Sequence, residues 1–371
     1  MNILIVGEFS GFSKNLKVGL NELGHKVSIM STGDNFKKIK IDESDINILK
    51  YYTKRLNNKY LNFIFRIIIV YLNRVRLKLF LKKNYDIIFL LNAGFIVPGI
   101  FSIKAGLPLK WLKKFIIKGT PLFLSACGLS PALVKHAKEL KYGFAYNKYE
   151  SLYNDKDIRQ FESICELCKK IIPMDYENEY SLKKYNSYSY INKVVRPILL
   201  PYDVSNTRYT YYETDKIIIT HGINRYDAKG SKYILEAMHK IKNKYPESVD
   251  LFIPEHLPYE DYLACLDKTN IFIDQCLGYG MGVNASIGLA MGKIVLGGCE
   301  EENNKSIGID AVPVINIEPN VDQIYNELEK LILLPSEARF KISLSSREFA
   351  EKYIDSKIIA KKYEQIFIDN K

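Results

Sequence analysis

Two glycine-marked loops within residues 221–292 most constrain what this chain can fold into, because each lies between a strand-like and a helix-like segment. The first, in KIIITHGINRYDAKGSKYILEAM, places Arg225 and Lys229 between a predicted strand and a predicted helix. The second, in NIFIDQCLGYGMGVNASIGLAMGKIVLGG, is rich in glycine and directly precedes another predicted helix. Helix N-termini, bare backbone N–H groups and cationic side chains all attract anions. The sequence therefore predicts two loops that face one cleft and hold a diphosphate.

Strand-like and helix-like segments alternate along the whole chain, which predicts an α/β fold with doubly wound sheets. Short apolar runs such as 2–6 and 121–125 are typical of buried parallel strands. The segment RPILLPYDV, with its two prolines, predicts a linker after which a second alternation begins. With 371 residues, the chain is long enough for two domains. We expect domains over 1–200 and 201–340, followed by C-terminal helices over 341–371.

The positive charge of the chain is concentrated in one region. The net charge is +11, and residues 51–150 hold 18 Lys and Arg against 3 Asp and Glu. A lysine-rich composition alone does not account for this, because residues 151–371 hold 28 Lys and Arg against 33 Asp and Glu. Such a region favours an anionic partner: acidic lipid, a lipid-linked pyrophosphate or nucleic acid. No recognition motif for nucleic acid accompanies it, so we expect an anionic membrane surface, contacted in part by a basic helix over 61–83.

Cysteine usage indicates a reducing compartment, and hydropathy argues against a membrane-spanning helix. Of the six cysteines only Cys165 and Cys168 form a C-x-x-C pair, and no second pair or paired histidine follows at zinc spacing. Buried, reduced thiols fit best in the cytoplasm. Neither apolar stretch, 60–73 or 87–103, offers the roughly 20 uninterrupted residues that a spanning helix needs. We expect a cytoplasmic protein that binds no metal and rests peripherally on the inner face of the cell membrane.

The C-terminal half resembles the retaining family-four glycosyltransferases of the GT-B fold. That family typically has an Arg and a Lys-Gly at this spacing, then a Glu-Ala-Met-Ala-x-Gly-x-Pro-Val run. Here Arg225, Lys229-Gly230 and residues 287–295 correspond, and the resemblance is clearest over residues 217–300. It implies two Rossmann-like domains that face a central cleft, with the first domain binding the acceptor and the second the nucleotide sugar. It also implies that the C-terminal helix crosses back to the first domain.

The same resemblance implies an activity. The chain would move a sugar from a nucleotide-diphosphate donor to a glycan acceptor, with retention at the anomeric carbon and without a cofactor. The basic region and the resemblance together suggest a lipid-linked acceptor in surface polysaccharide assembly. An enzyme without a metal must neutralise the departing diphosphate with fixed cations and dipoles. Arg225 can bind two phosphate oxygens at once, and Lys229 would act as a point charge.

The remaining candidate residues lie in loops at predicted strand ends. Glycine lets a backbone approach a ligand closely, and Asn or Ser can cap the following helix. The predicted donor-binding residues are Gly222, Asn224, Gln275, Gly280, Gly282, Asn284 and Ser286. The predicted acceptor and cleft residues are Ser10, Gly11, Gly128 and His221.

One departure from the family pattern leaves alternatives open. The family usually places two Glu residues eight apart around the glycine loop, and the corresponding residues here are Tyr279 and Ile287. Neither can accept hydrogen bonds as a carboxylate does. Either Asn284, Ser286 or Glu300 replaces the missing acid, or the donor differs, or the chain is a catalytically inactive GT-B subunit that binds glycan or partner proteins. An NAD-type oxidoreductase is disfavoured because the first loop lacks G-x-G-x-x-G.

Overall fold

The computed structural model describes most of the chain. The described residues are 1–31, 34, 39, 42, 45–48, 58–99, 102, 106–146, 152–184 and 190–371. Parts of the basic region predicted over 51–150, and of the apolar stretch 87–103, lie outside them. None of the helices described is long and apolar enough to cross a membrane.

The first domain is built on a doubly wound sheet. Its elements are β1 (Asn2–Val6), α1 (Phe12–Glu22), β2 (Lys26–Ser31), β3 (Ile46–Asn47), α2 (Lys59–Phe80), β4 (Ile87–Leu90), β5 (Ile96–Val97), β6 (Leu107–Pro108), α3 (Leu109–Ile117), β7 (Leu122–Ala126), α4 (Pro131–His136), α5 (Asp155–Leu167), β8 (Lys170–Pro173) and α6 (Tyr176–Lys184). Within the described residues, six strands pair in parallel in the order β3-β2-β1-β4-β7-β8. The strand order reverses beside β1, so a crevice opens at the carboxyl ends of β1 and β4.

The second domain repeats this plan with a different strand order. Its elements are β9 (Ile217–His221), α7 (Tyr226–Lys229), α8 (Ser231–Lys244), β10 (Val249–Phe252), α9 (Tyr259–Leu266), β11 (Ile271–Ile273), α10 (Val283–Ala290), β12 (Ile294–Gly297), α11 (Glu301–Ile307), β13 (Val314–Asn316), α12 (Val321–Leu333), α13 (Ser336–Phe349) and α14 (Ser356–Asp369). Among the described residues, its sheet has the parallel order β10-β9-β11-β12-β13. Here the strand order reverses between β9 and β11.

The strands form where the sequence predicts them because their apolar side chains are covered on both faces. In β1, β4 and β7 every residue except Asn2 is buried, as is expected of parallel strands between two layers of helices. The domains are joined through residues 190–216, which include the predicted proline-rich linker. The domain boundary at residue 200 stays a prediction.

The last helix crosses back to the first domain, as the resemblance implies. Tyr363 and Phe367 of α14 pack against Phe89 of β4, with ring centroids 5.2 and 5.8 Å apart. At Gly19 of α1, an added Cβ would lie 2.0 Å from the carbonyl oxygen of Ser356. Glycine at this position therefore lets α14 approach α1 closely, and the helix joins the two domains.

Candidate active site

A pocket lies between the two domains, at the carboxyl ends of β1, β9 and β10. The pocket is open to solvent, and the atom-free space inside it and in front of its mouth is about 450 Å³. Its lining residues are Ser10, Gly222, Ile223, Asn224, Pro254, His256, Leu257, Tyr259, Tyr262, Val283, Asn284 and Ile287. Strand ends at a reversal of strand order are where open α/β sheets bind ligands. The structure thus brings together four predicted site residues: Ser10, Gly222, Asn224 and Asn284.

Two polar atoms of this lining lack a partner. The Asn224 Oδ1 atom and the Tyr262 hydroxyl are buried, and neither has a hydrogen-bond partner within the described chain. Burial also raises the pKa of the Tyr262 hydroxyl well above its usual value, so the group is a neutral donor. A Cβ atom at Gly222 would lie 2.6 Å from that hydroxyl, so glycine is what admits the tyrosine here. Leaving a buried polar group unpaired costs about 1–3 kcal/mol, which favours a polar ligand in the pocket.

The N-terminus of α10 forms another part of the pocket wall. Gly282 precedes this helix and supplies no side-chain cap. The first backbone N–H groups of a helix have no partner within the helix, and those of Val283 and Asn284 belong to this turn. Both residues line the pocket. The positive end of the helix dipole is therefore available to an anion at this wall.

Arg225 stands beside the pocket as an unpaired cation. Its side chain is exposed and has no hydrogen-bond or ion-pair partner among the described residues. Arg225 directly follows Asn224, which lines the pocket. Burial and the charge of Asp175 raise the pKa of the Cys127 thiol of the first domain, and the charge of Arg225 lowers it. Because Cys127 follows β7, Arg225 lies on the cleft side of the second domain. We call Ser10, Asn224, Arg225, Tyr262 and Asn284 the pocket rim.

Lys229, predicted to act on the diphosphate as a point charge, is buried and paired with a carboxylate. Its side chain is 3% exposed, and Nζ lies 3.2 Å from Asp274 Oδ1 and 3.3 Å from the Asp274 carbonyl oxygen. The other oxygen of Asp274 accepts the Gly282 N–H at 3.0 Å. Lys229 therefore holds the strand end of β11 and the glycine loop together beneath the pocket. Lys229 does not line the pocket, and its contact with a departing diphosphate stays a prediction.

His221 is also buried beneath the pocket rather than facing it. Its ring is fully buried; Nδ1 donates to the Ile273 carbonyl oxygen at 2.9 Å, and Nε2 accepts from the Ser231 hydroxyl at 2.8 Å. Burial, reinforced by the charge of Lys229, lowers the pKa of His221 to about 3. A neutral imidazole with both nitrogens engaged does not contact a substrate. We call His221, Lys229, Ser231, Asp274 and Gly282 the floor network.

The other predicted donor residues hold the glycine loop in shape. Gln275 donates from Nε2 to the Gly280 carbonyl oxygen at 3.3 Å. Gly280 packs against Asn303, whose Oδ1 would lie 2.8 Å from an added Cβ. The Ser286 side chain is buried and donates to the Gly282 carbonyl oxygen at 3.4 Å. These three residues do not line the pocket, so their predicted contact with the donor has no geometric support here.

The loop after β1 enters the pocket through Ser10, whose φ of 56° lies in the left-handed region. The N–H groups of Gly11 and Lys14 at the start of α1 donate to the two Glu8 oxygens at 2.9 and 3.0 Å. Burial raises the pKa of Glu8 to about 7. The N-terminus of α1 is thus already bound to a carboxyl group of the chain itself. Gly128, with a φ of 76°, has open space beside it in the loop after β7.

The residues at the two missing acid positions have different surroundings. Ile287 lines the pocket with an apolar side chain. Tyr279 packs between Tyr142 and Tyr176 of the first domain, with ring centroids 5.4 Å from each. Its hydroxyl accepts the Lys141 N–H at 2.8 Å. Tyr279 therefore fixes one domain against the other instead of facing a ligand.

Glu300, one predicted substitute for the missing acid, is occupied by other groups. It accepts hydrogen bonds from Lys141 Nζ at 2.9 Å, from Asn316 Nδ2 at 2.6 Å and from the Tyr142 hydroxyl. Glu300 thus forms an interdomain contact and does not line the pocket. Of the three substitutes considered, Asn284 is the one in the pocket.

The sequence interpretation missed several lining residues, including Tyr259, Tyr262 and His256. They follow β10 in the run EHLPYEDY, and a strand next to β9 delivers its loop to the same sheet edge. That position is the signal that could have identified them. Across the described ranges, no group of three His, Cys, Asp or Glu side chains could hold a metal ion.

Two facing doubly wound domains and a terminal helix that crosses back define the GT-B fold. Among solved structures, the chain is similar to a sucrose-phosphate synthase from Thermosynechococcus elongatus (TM-score 0.62, 12% identity, 100% of this chain and 99% of that one). It is similar to a glycosyltransferase from Rickettsia africae ESF-5 (0.56, 15%, 99% and 98%) and to HepE from Anabaena in complex with UDP-glucose (0.58, 11%, 100% and 100%). No family model and no curated protein matches the chain. At these identities the similarity establishes the fold, and function must be argued from the site.

Proposed function

We propose that the chain is a glycosyltransferase that moves a sugar from a nucleotide-diphosphate donor to a glycan acceptor without a metal ion. The unpartnered Asn224 oxygen and Tyr262 hydroxyl in the interdomain pocket carry this proposal. Ribose hydroxyls and a pyrimidine ring offer both donors and acceptors to such groups. HepE, which shares the fold, binds UDP-glucose, and this supports a uridine nucleotide as the first ligand to test.

The rim provides what departure of the diphosphate requires. When the bond between the anomeric carbon and the phosphate oxygen breaks, negative charge develops on the leaving group. Arg225 can take two phosphate oxygens, and the N–H groups of Val283 and Asn284 can take another. Lys229 would act only by positioning the glycine loop. The acceptor would approach from the first domain, past Ser10.

The finer assignments extend this proposal. The first domain, 1–200, would bind the acceptor, 201–340 would bind the donor, and 341–371 would join the two. The resemblance to family four supports retention at the anomeric carbon. The basic region over 51–150 supports a lipid-linked acceptor, a role in surface polysaccharide assembly and a site of action at the inner face of the cell membrane. Gly128 would contribute backbone groups on the acceptor side, whereas the Gly11 N–H already donates to Glu8.

A catalytically inactive GT-B subunit is the second candidate, and specific contacts favour it. Tyr279 and Ile287 stand where the resemblance places acids, and Tyr279 is held between the tyrosines of the first domain. In addition, Glu8 and Asp274 already accept the N–H groups of Gly11 and Gly282. Such a subunit would bind glycan or partner proteins.

A panel of nucleotides and nucleotide sugars, scored by thermal shift and then by nucleotide release, tests both candidates. The transferase predicts stabilisation by a nucleoside diphosphate, none by NAD, and release of that nucleotide from one sugar donor. Stabilisation without release from any donor, with water or a glycan mixture as acceptor, would favour the inactive subunit. No stabilisation by any nucleotide would contradict the site itself.

A further inference from the structure

Helix α2 exposes an unusual amount of apolar surface. Its N-terminal half presents Tyr60, Phe63, Ile64, Phe65 and Ile67, with exposed fractions between 52% and 81%. These positions cover more than one side, because the consecutive residues 63, 64 and 65 point about 100° apart around a helix. A helix that is apolar all round is normally buried in a protein core or in lipid. Exposed patches of this kind mark interaction surfaces.

The other end of α2 is fixed to the first domain. Leu77 is fully buried, and Arg74 Nη1 donates to the Gly106 carbonyl oxygen at 2.8 Å. Helix α3 lies beside this end, since Tyr85 contacts both Phe80 of α2 and Phe115 of α3 at 6.3 and 6.2 Å between ring centroids. The exposed half of α2 therefore extends from a rigid base.

Cations surround this base. The exposed side chains are Arg76 and Lys78 of α2, Lys82 after it, and Lys113, Lys114 and Lys118 at α3. In the described parts of the chain, none of the six has an ion-pair partner. Lys and Arg near an apolar surface can extend their charges to lipid headgroups, and each contributes to binding an anionic leaflet. A second copy of the chain docked on the same surface would bring like charges together.

We propose that the N-terminal half of α2 inserts into the acyl region of an anionic membrane leaflet while the six cations bind its headgroups. The helix would enter one leaflet without crossing the bilayer. The proposed membrane location rests on charge alone. This inference goes beyond it, because it attributes membrane binding to insertion of the apolar side chains of α2. It does not depend on the transfer chemistry.

Flotation with vesicles tests the insertion. We expect the protein to float with vesicles of phosphatidylcholine mixed with phosphatidylglycerol, and much less with phosphatidylcholine alone. The variant Phe63→Glu/Ile67→Glu should lose binding at least tenfold, because two charges would have to enter the acyl region. The variant Lys113→Gln/Lys114→Gln/Lys118→Gln should lose at least about tenfold and be less sensitive to salt, since each cation is worth roughly fivefold.

The matched control changes two exposed apolar residues outside α2. Leu333 and Ile368 are 66% and 56% exposed, and Leu333→Glu/Ile368→Glu should float as the parent does. All substituted apolar positions are exposed, so unchanged thermal unfolding would confirm folding. If nucleotides stabilise Phe63→Glu/Ile67→Glu as much as they stabilise the parent, the loss of membrane binding is independent of the proposed transferase site. Unaltered flotation of that variant would overturn the proposal.

Fluorescence reports the depth of the helix. The chain has one tryptophan, Trp111, so Phe63→Trp in a Trp111→Phe background places a single probe on α2. Lipids brominated along their acyl chains should quench this probe in anionic vesicles. Quenching absent in bound protein, or a dimer in light scattering that Phe63→Glu/Ile67→Glu dissociates, would overturn insertion and assign α2 to a second copy.

Discussion

The pocket rim and the floor network both include residues at the end of β9 and at the start of α10, but several of their polar side chains are in opposite states. In the floor, the Lys229 ammonium, both oxygens of Asp274 and both nitrogens of His221 have partners. In the rim, the Asn224 Oδ1 atom, the Tyr262 hydroxyl and, among described contacts, the Arg225 guanidinium have none. On the proposed function, stability and ligand binding therefore depend on separate residues that lie only a few positions apart in the chain.

Arg225 and Lys229 lie only four positions apart in the chain, but one is exposed and the other is buried. Arg225 precedes the short helix α7 and stays exposed, whereas Lys229 is its last residue and is buried. Gly230 then adopts a φ of 71°, which turns the chain into α8. Lys229 is thereby directed at the end of β11, where Asp274 lies. Each substitution below should therefore change either the unfolding free energy or the affinity for nucleotide. A variant that changed both equally would contradict the division between rim and floor.

Lys229→Met has the largest expected effect. Removal of the ammonium leaves the Asp274 carboxylate buried without its counter-charge, which costs about 3–5 kcal/mol of unfolding free energy. Urea unfolding measures the loss. The double variant Lys229→Met/Asp274→Leu should recover part of it, because both charges are gone.

A surface pair provides the control for this prediction. Lys240 and Asp322 also form an ion pair at 3.2 Å, but their side chains are 47% and 83% exposed. Lys240→Met should change the unfolding free energy by less than about 1 kcal/mol. A Lys229→Met protein as stable as the parent would show that the buried pair does not hold the loop.

Arg225→Ala should act on binding alone. Loss of charged hydrogen bonds to phosphate weakens binding by about 1.5–3 kcal/mol, roughly tenfold to hundredfold in the Kd for UDP. Calorimetric titration measures the affinity, and the unfolding free energy should stay within about 0.5 kcal/mol of the parent. Arg208→Ala removes another exposed cation without a described partner and should leave the Kd unchanged. Equal affinity in both variants would remove Arg225 from the site.

His221 should make stability depend on pH. Its folded-state pKa of about 3 lies below the unfolded value of about 6.5, so the unfolded chain binds the extra proton and stability falls as pH decreases through this window. Between pH 6.5 and 5 this contributes a loss of about 2 kcal/mol. Glu8, with a folded pKa of about 7, acts in the opposite direction. We therefore compare the unfolding free energies of the parent and of His221→Gln across this pH range. Glutamine keeps a donor and an acceptor but does not titrate. If the two free energies changed in parallel with pH, the assignment to His221 would be contradicted.

Tyr262→Phe has the smallest expected effect, and it should change the affinity for UDP without destabilising the free protein. Because the hydroxyl lacks a described partner, its removal should leave the unfolding free energy of the free protein unchanged or raise it by about 1 kcal/mol. UDP should then bind about threefold to tenfold more weakly, since one hydrogen bond to the ligand is lost. Tyr212→Phe, which changes an exposed tyrosine of the interdomain connection, is the control. Destabilisation of the free protein would mean that the hydroxyl has a structural partner.

Local patterns were enough to predict the fold and part of the site. The alternation of apolar strands with helices is a property of neighbouring residues, and so is the position of Asn224, Arg225 and Asn284 at strand and helix ends. The pairing of Lys229 with Asp274 could not be predicted in this way, because it joins residues 45 positions apart whose side-chain directions depend on Gly230. A cation beside a glycine fits a phosphate site and a buried ion pair equally well.

Contacts between the domains could not be predicted from local patterns either, because they join residues that are far apart in the chain. Glu300 is one of three candidates to replace the missing acid, but it accepts hydrogen bonds from Lys141 and Tyr142 of the other domain. Helix α2 is a comparable case: its cations were evident in the sequence, whereas the exposure of its apolar side chains depends on which half of the helix packs on the domain.

A crystal structure of the protein soaked with UDP tests the central claim most directly. The rim predicts UDP in the interdomain pocket, with hydrogen bonds to Asn224 Oδ1 and the Tyr262 hydroxyl and with its phosphates between Arg225 and the N-terminus of α10. The contact of Lys229 with Asp274 should stay as it is. An empty pocket at saturating UDP, or a diphosphate bound by a Lys229 that has left Asp274, would contradict the separation of rim and floor.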